Sequence, residues 1–167
     1  MNEDLINVIS ESQKASEAQE VEKKTTVWLI FSIAGKKYAM RSADVLEIIR
    51  DVPIYKLPFM PAYIEGVINR RGDPFTVINP LAVFGDTDSK PPEEPLFLIM
   101  KRDDDQLSVH ISDILQFTEM AESDLNLIPN GGDEDFFLGT LSYGHEEVPA
   151  INPGSFELLI RKDLGSA

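Results

Sequence analysis

The chain has 167 residues, 43% of them hydrophobic, enough to bury the core of one domain or of two small fused ones. Its formal net charge of −14 opposes nucleic-acid binding, which depends on lysines and arginines displacing counterions, and points to a well-solvated surface. The absence of cysteine excludes disulfides, thiolate metal sites and cysteine nucleophiles, and no apolar run reaches the roughly 18 residues of a membrane span.

Residues 1–25 open with MNEDLINVISESQK, are rich in Glu and Ser, lack aromatics, and read as a flexible acidic tail. Acids stand where a secretory signal needs basic residues and then a long apolar stretch, so a cytoplasmic location is expected. Within this tail Leu5, Ile6, Val8 and Ile9 have the spacing of a turn or two of amphipathic helix. From Thr25 the character changes to short apolar runs of strand length. TVWLIFSI and KKYAM form a hairpin about a glycine-containing AGK turn, and VLEIIRD follows as a third strand. PIYKLPFMP, with three prolines, cannot pair as a central strand. YIEGVIN and FTVIN flank the turn RRGDP, and PLAVFG reads as a short helix opened by proline and closed by glycine.

DTDSKPPEEP is a loop by composition, after which the style repeats: LFLIMK and QLSVHIS about a polar RDDD turn, DILQFTEM, a loop LIPNGGDED, the strands FFLGTLSY and EVPAIN, and a final helix PGSFELLIRK. Gly66 precedes Ile78-Asn79-Pro80 by the interval at which Gly139 precedes Ile151-Asn152-Pro153, the two motifs lying 73 residues apart. Leu57-Pro58 and Ile128-Pro129 occupy similar places at a slightly different offset. The pattern predicts a mainly β protein made of two homologous small subdomains, closed barrels rather than a parallel sheet. The expected division is a first barrel over roughly 26–90, a second over roughly 91–162, the crossover near Asp86 to Pro95, and a tail over 163–167.

Catalytic and metal chemistry find little support. His110 and His145 are the only histidines, neither has a nearby His or Cys companion, and a structural role suits both. The acidic clusters RDDDQ and GGDEDF lack the ligand order of a calcium loop and read as polar turns. There is no nucleophile elbow, phosphate loop or HExxH motif, so neither an enzyme nor a cofactor is expected. A small β-barrel ligand-binding protein or hydrolase, using carboxylates in the groove between barrels, is the alternative class. A deep pocket with converging carboxylates would favour it, and a shallow apolar groove would favour docking of a peptide or helix. The tripeptide Arg71-Gly72-Asp73 sits in a turn between apolar strands, a context that gives no support to an adhesion motif.

The run LPFMPAYIEGVINRRGDPFTVINPLAVFG resembles the core of CheW-like chemotaxis coupling proteins, in which a proline-bounded segment leads to a glycine, a strand, an N-x-R-G turn, another strand and a short helix. Here the turn is Asn69-Arg70-Arg71-Gly72, and Val45-Leu46-Glu47-Ile48 matches the V-x-E-I of the family's opening. The resemblance covers roughly residues 26–162 and implies two tandem five-stranded, SH3-like β barrels with short helices. It also implies a non-catalytic adaptor joining the cytoplasmic tips of methyl-accepting chemoreceptors to the regulatory domain of a CheA-type histidine kinase. By the same resemblance Val45, Glu47, Asn69, Arg71 and Gly72 are the docking candidates. The residues themselves leave two roles open for Arg71: a donor fork for carboxylates on a partner helix, or a partner for Glu47 that only holds the turn. Gly72 and Asn69 have conformational roles in the turn, through positive φ and a side-chain bond to backbone. The sequence departs from the family where Pro74 arrives early, where Thr76 replaces a common proline, where Asn79-Pro80 replaces Asp-Leu, and at Ile111-Ser112 in the second barrel. LAVFG is similar to variants serving pilus-based motility, which makes a twitching-motility scaffold, or an array filler without kinase coupling, the alternative within the family.

Overall fold

The computed structural model describes residues 24–86, 88, 90–103, 105–128 and 135–165. Among them the chain forms, in order, β1 (Thr25–Ile33), β2 (Lys36–Arg41), β3 (Val45–Arg50), β4 (Ile64–Arg70), β5 (Asp73–Ile78), α1 (Pro80–Val83), β6 (Leu96–Met100), β7 (Leu107–Ile111), β8 (Asp113–Ala121), β9 (Leu125–Leu127), β10 (Phe137–Tyr143), β11 (Glu146–Ile151) and α2 (Pro153–Leu164). The mainly β character is as expected. The amphipathic cluster at Leu5 to Ile9 lies outside the described residues. Thr25 already belongs to β1, and α2 runs past Lys162 into the expected tail.

The strands make two sheets, in the orders β8-β1-β2-β11-β10-β9 and β3-β6-β7-β5-β4. Two β subdomains therefore exist, but strand pairing does not follow a sequential division near residue 90. The hairpin β1–β2 shares a sheet with β8 to β11, while β6–β7 shares one with β3 to β5. Each hairpin sends the strand that follows it, β3 or β8, to edge the other sheet. Composition marks where strands begin and end, not which partner they take, so a boundary drawn at the Pro-rich loop misses this exchange.

The duplication is nevertheless real at the level of hydrogen bonding. β5 pairs in parallel with β7, and β11 pairs in parallel with β2, through the equivalent partners Val77 with Ser108 and Ala150 with Ala39. Gly66 and Gly139 each sit at a register irregularity opposite their hairpin partner. A side chain at either glycine would meet backbone: a Cβ at Gly66 would lie 2.2 Å from the Tyr55 carbonyl oxygen, and one at Gly139 would lie 2.0 Å from that of Asn126. In both subdomains the glycine admits a third segment, the Tyr55–Val67 bridge in one and β9 in the other.

Three groups of buried side chains hold this arrangement. Ile68, Phe75, Val77, Phe97 and Ile99 fill the interior of the five-stranded sheet. Trp28, Ile30, Leu141 and Val148 fill that of the six-stranded sheet. A larger group, including Leu29, Phe31, Leu98, Val109 and Phe156, joins the two. The unbroken apolar runs of β1 and β6 follow from this: Trp28 and Ile30 serve one core and Leu29 and Phe31 another, just as Phe97 and Ile99 face opposite to Leu96 and Leu98.

Helix α2 is seated on the shared core by Phe156, fully buried, and tied to the end of β6 by Arg102, whose Nε and a terminal nitrogen donate to the two Glu157 carboxylate oxygens at 2.5 and 2.8 Å. Burying such a phenylalanine stabilises by about 2–3 kcal/mol. The exposed Arg161–Asp105 pair contributes at most about 1 kcal/mol, so packing rather than surface charge decides where the helix lies. Among the described residues no helix is long and apolar enough to cross a membrane.

Candidate functional site

The site is built on the β4–β5 hairpin. Arg70 pairs with Asp73 across a two-residue turn, Arg71-Gly72, and both turn residues have positive φ, 52° and 90°. This backbone suits the right-handed twist of the flanking strands. Gly72 adopts it without steric cost; Arg71 does so at the cost of left-handed strain. The Asn69 side-chain Oδ1 accepts from the Gly72 N–H at 2.7 Å and braces the turn.

Alternation along β4 sets where the charges fall. Ile68 points into the barrel, Asn69 out, and Arg70 inward again at the barrel mouth. There Arg70 Nε donates to Glu47 Oε2 at 2.6 Å, and its guanidinium lies 5.7 Å from the centre of the Phe75 ring. β3 and β4 are opposite edges of the five-stranded sheet, so a bond between Glu47 and Arg70 means that the sheet curls until its edges meet. Arg71 approaches the second Glu47 oxygen at 3.6 Å with its side chain 76% exposed, against 18% for Arg70.

Beside this hairpin lies an open groove of about 560 Å³. Its lining is mixed: Leu46, Val67, Pro74 and Ile160 are apolar, and Arg102, Asp103 and Asp105 are charged. Leu46 reaches it because of a register irregularity between Val45 and Glu47, which turns Leu46 outward and leaves it 49% exposed. Among the described residues no group of three or more His, Cys, Asp or Glu side chains is placed to hold a metal ion. His110 is buried, with Nδ1 at 2.8 Å from Glu65 and Nε2 at 2.6 Å from the Glu94 carbonyl, a structural tie between β7, β4 and the chain leading into β6.

The family model of the CheW-like domain matches residues 27–152, about three quarters of the sequence. The chain belongs to the CheW-like domain family. Along its length the CheW-like chain is similar to the chemotaxis protein CheW of Helicobacter pylori (strain ATCC 700392 / 26695), with 23% identity over 166 residues that take in 98% of this chain and 100% of that protein. Its fold is similar to that of the scaffolding protein TtCheW from Thermoanaerobacter tengcongensis, with a TM-score of 0.67 and 24% identity over 77% of this chain and 89% of that one. Family and fold together make it a mainly β CheW-like domain.

Within this CheW-like chain the structure brings Glu47, Asn69, Arg71 and Gly72 together at one barrel mouth. It does not bring Val45 to them: that side chain lies partly buried against the shared core, on the face of β3 that Ile48 also uses. Two residues escaped sequence reasoning. Arg70, not Arg71, is the principal partner of Glu47, and counting alternation outward from Ile68 would have found it. Leu46 carries no such signal, because its exposure arises from an irregularity in register.

Proposed function

We propose that this chain is a non-catalytic adaptor, bridging the cytoplasmic tip hairpin of a methyl-accepting chemoreceptor to the regulatory domain of a CheA-type histidine kinase. It works in the cytoplasm, at the inner face of the membrane through receptor arrays. The observation that carries this reading is the exposed Arg71 guanidinium, held on a strained turn of the hairpin that borders an open groove, in a CheW-like fold. A helical partner would lay its apolar side along Leu46 and Pro74 and offer a carboxylate to Arg71, affinity coming from the packed area and orientation from the charge. Val45 contributes indirectly, by seating β3 so that Leu46 and Glu47 emerge where they do. The groove is open, with apolar side chains among its lining, and its Asp105 is paired with Arg161, an arrangement that suits docking of a partner.

The test is binding of the full chain to a receptor-tip helical hairpin from the same genome. Arg71→Glu is expected to weaken that binding at least tenfold while the denaturation midpoint stays close to the parent's. Equal binding by the two proteins would remove Arg71 from the docking surface.

A further inference from the structure

We infer that Arg70 is a positioning residue for Arg71: it holds the Glu47 carboxylate at the barrel mouth, so that Arg71 faces outward toward an acidic partner helix. This rests on the docking role proposed for Arg71. Glu47 has two oxygens and two arginines within reach. Arg70 takes Oε2 at 2.6 Å, while Arg71 remains 3.6 Å from Oε1. The Arg70 guanidinium also lies over the Phe75 ring, and its side chain is far more buried than that of Arg71.

The second barrel shows that closure alone does not require this ion pair. Tyr143 stands in β10 where Arg70 stands in β4, each the last residue before its hairpin turn. Its hydroxyl donates to Gln116 of β8 at 2.6 Å, again bridging to an edge strand that pairs on its other side with the first strand of a swapped hairpin. A neutral hydrogen bond therefore spans the equivalent gap, and the turn that follows it begins with Gly144 at φ 62° and carries no arginine. Among the described residues, the closing bond from the last residue before the turn is charged in the barrel whose turn presents Arg71 and neutral in the other. Without Arg70, the Glu47 carboxylate would be left beside Arg71 as its nearest cation and would compete with the partner for it.

The experiment copies the neutral closure into the first barrel of the full-length protein. Arg70→Tyr, Arg70→Tyr/Glu47→Gln and Arg71→Ala are compared with the parent for binding to a synthetic receptor-tip helical hairpin, well below each denaturation midpoint. The exchange rate of the Arg71 Nε–H is followed by NMR. Arg70→Tyr should bind about two- to fivefold more weakly, the range that one exposed ion pair can withdraw, with slowed Arg71 Nε–H exchange. The double variant should regain the parental affinity and exchange rate, a rescue that a purely structural role for Arg70 would not give. Should Arg70→Tyr fail to fold, Arg70→Leu with and without Glu47→Gln makes the same comparison. If Arg71→Ala weakens binding but the Arg70 variants bind like the parent, or are not rescued by Glu47→Gln, this inference falls and the docking role stands. If Arg71→Ala itself binds like the parent, both fall.

Discussion

Replacing Arg71 by asparagine separates the two roles open to it. In the turn Arg71 has φ 52°, a conformation that costs a bulky L-residue about 1 kcal/mol and that asparagine tolerates more readily. Against this relief stands the loss of the contact with Glu47, 3.6 Å long and made by a side chain that is 76% exposed, worth a few tenths of a kcal/mol at roughly the median for surface pairs. The Arg70–Glu47 bond and the Asn69 brace remain. The balance predicts that Arg71→Asn stabilises the protein by about 0.5 kcal/mol, a rise of roughly 1–2 °C in Tm. At the same time it should weaken receptor-tip binding. Urea titration with an unchanged slope reads the stability difference as a shift in midpoint. A variant less stable than the parent by about 1 kcal/mol or more would mean that Arg71 is there to hold the turn, and the argument that strain is retained for partner contact would fail.

Gly66→Ala and Gly139→Ala should each cost about 3 kcal/mol, since a Cβ at either position would meet backbone carbonyl oxygen at 2.2 and 2.0 Å. Gly72→Ala, with open space around it and φ 90°, should cost only about 1 kcal/mol; thermal denaturation of the three variants checks the order. Glu157→Gln, which leaves Arg102 without its carboxylate, is expected to destabilise by about 2 kcal/mol and to raise amide exchange along α2 before the sheets respond. Hydrogen bonds from Thr140 and then Ser142 hold the Glu147 carboxyl below its ordinary pKa. A folded-state pKa below the unfolded one stabilises fully above the unfolded value and loses that contribution as pH falls through the folded one. Glu147→Gln should therefore be less stable than the parent at neutral pH, with the gap closing below about pH 4 in a series of melts.

The local grammar of the chain was legible because its causes are local. Proline at α1's first position, Gly72 in a two-residue turn and prolines barring a central strand after Arg50 each act within a few residues. The repeat was legible too, since Gly66 and Gly139 answer the same steric demand in both subdomains. The exchange of β3 and β8 was not, because pairing is decided by which faces find a core at long range. A clue to it lay in WLIF and LFLIM, whose lack of alternation marks strands buried on both faces. At the site, Arg71 drew attention through its turn, and Arg70 passed unnoticed because its role depends on a strand edge brought round from twenty-odd residues earlier. Val45, chosen by resemblance, proved to face the core, since one irregularity at Leu46 reverses the side to which it points.

The most direct measurement of the central claim is titration calorimetry of the full chain with a receptor-tip helical hairpin and with a CheA-type regulatory domain, each alone and then in sequence. Adaptor function predicts saturable binding to each and retention of the first partner when the second is added, giving a ternary complex. Binding to neither, or displacement of one partner by the other, would contradict it.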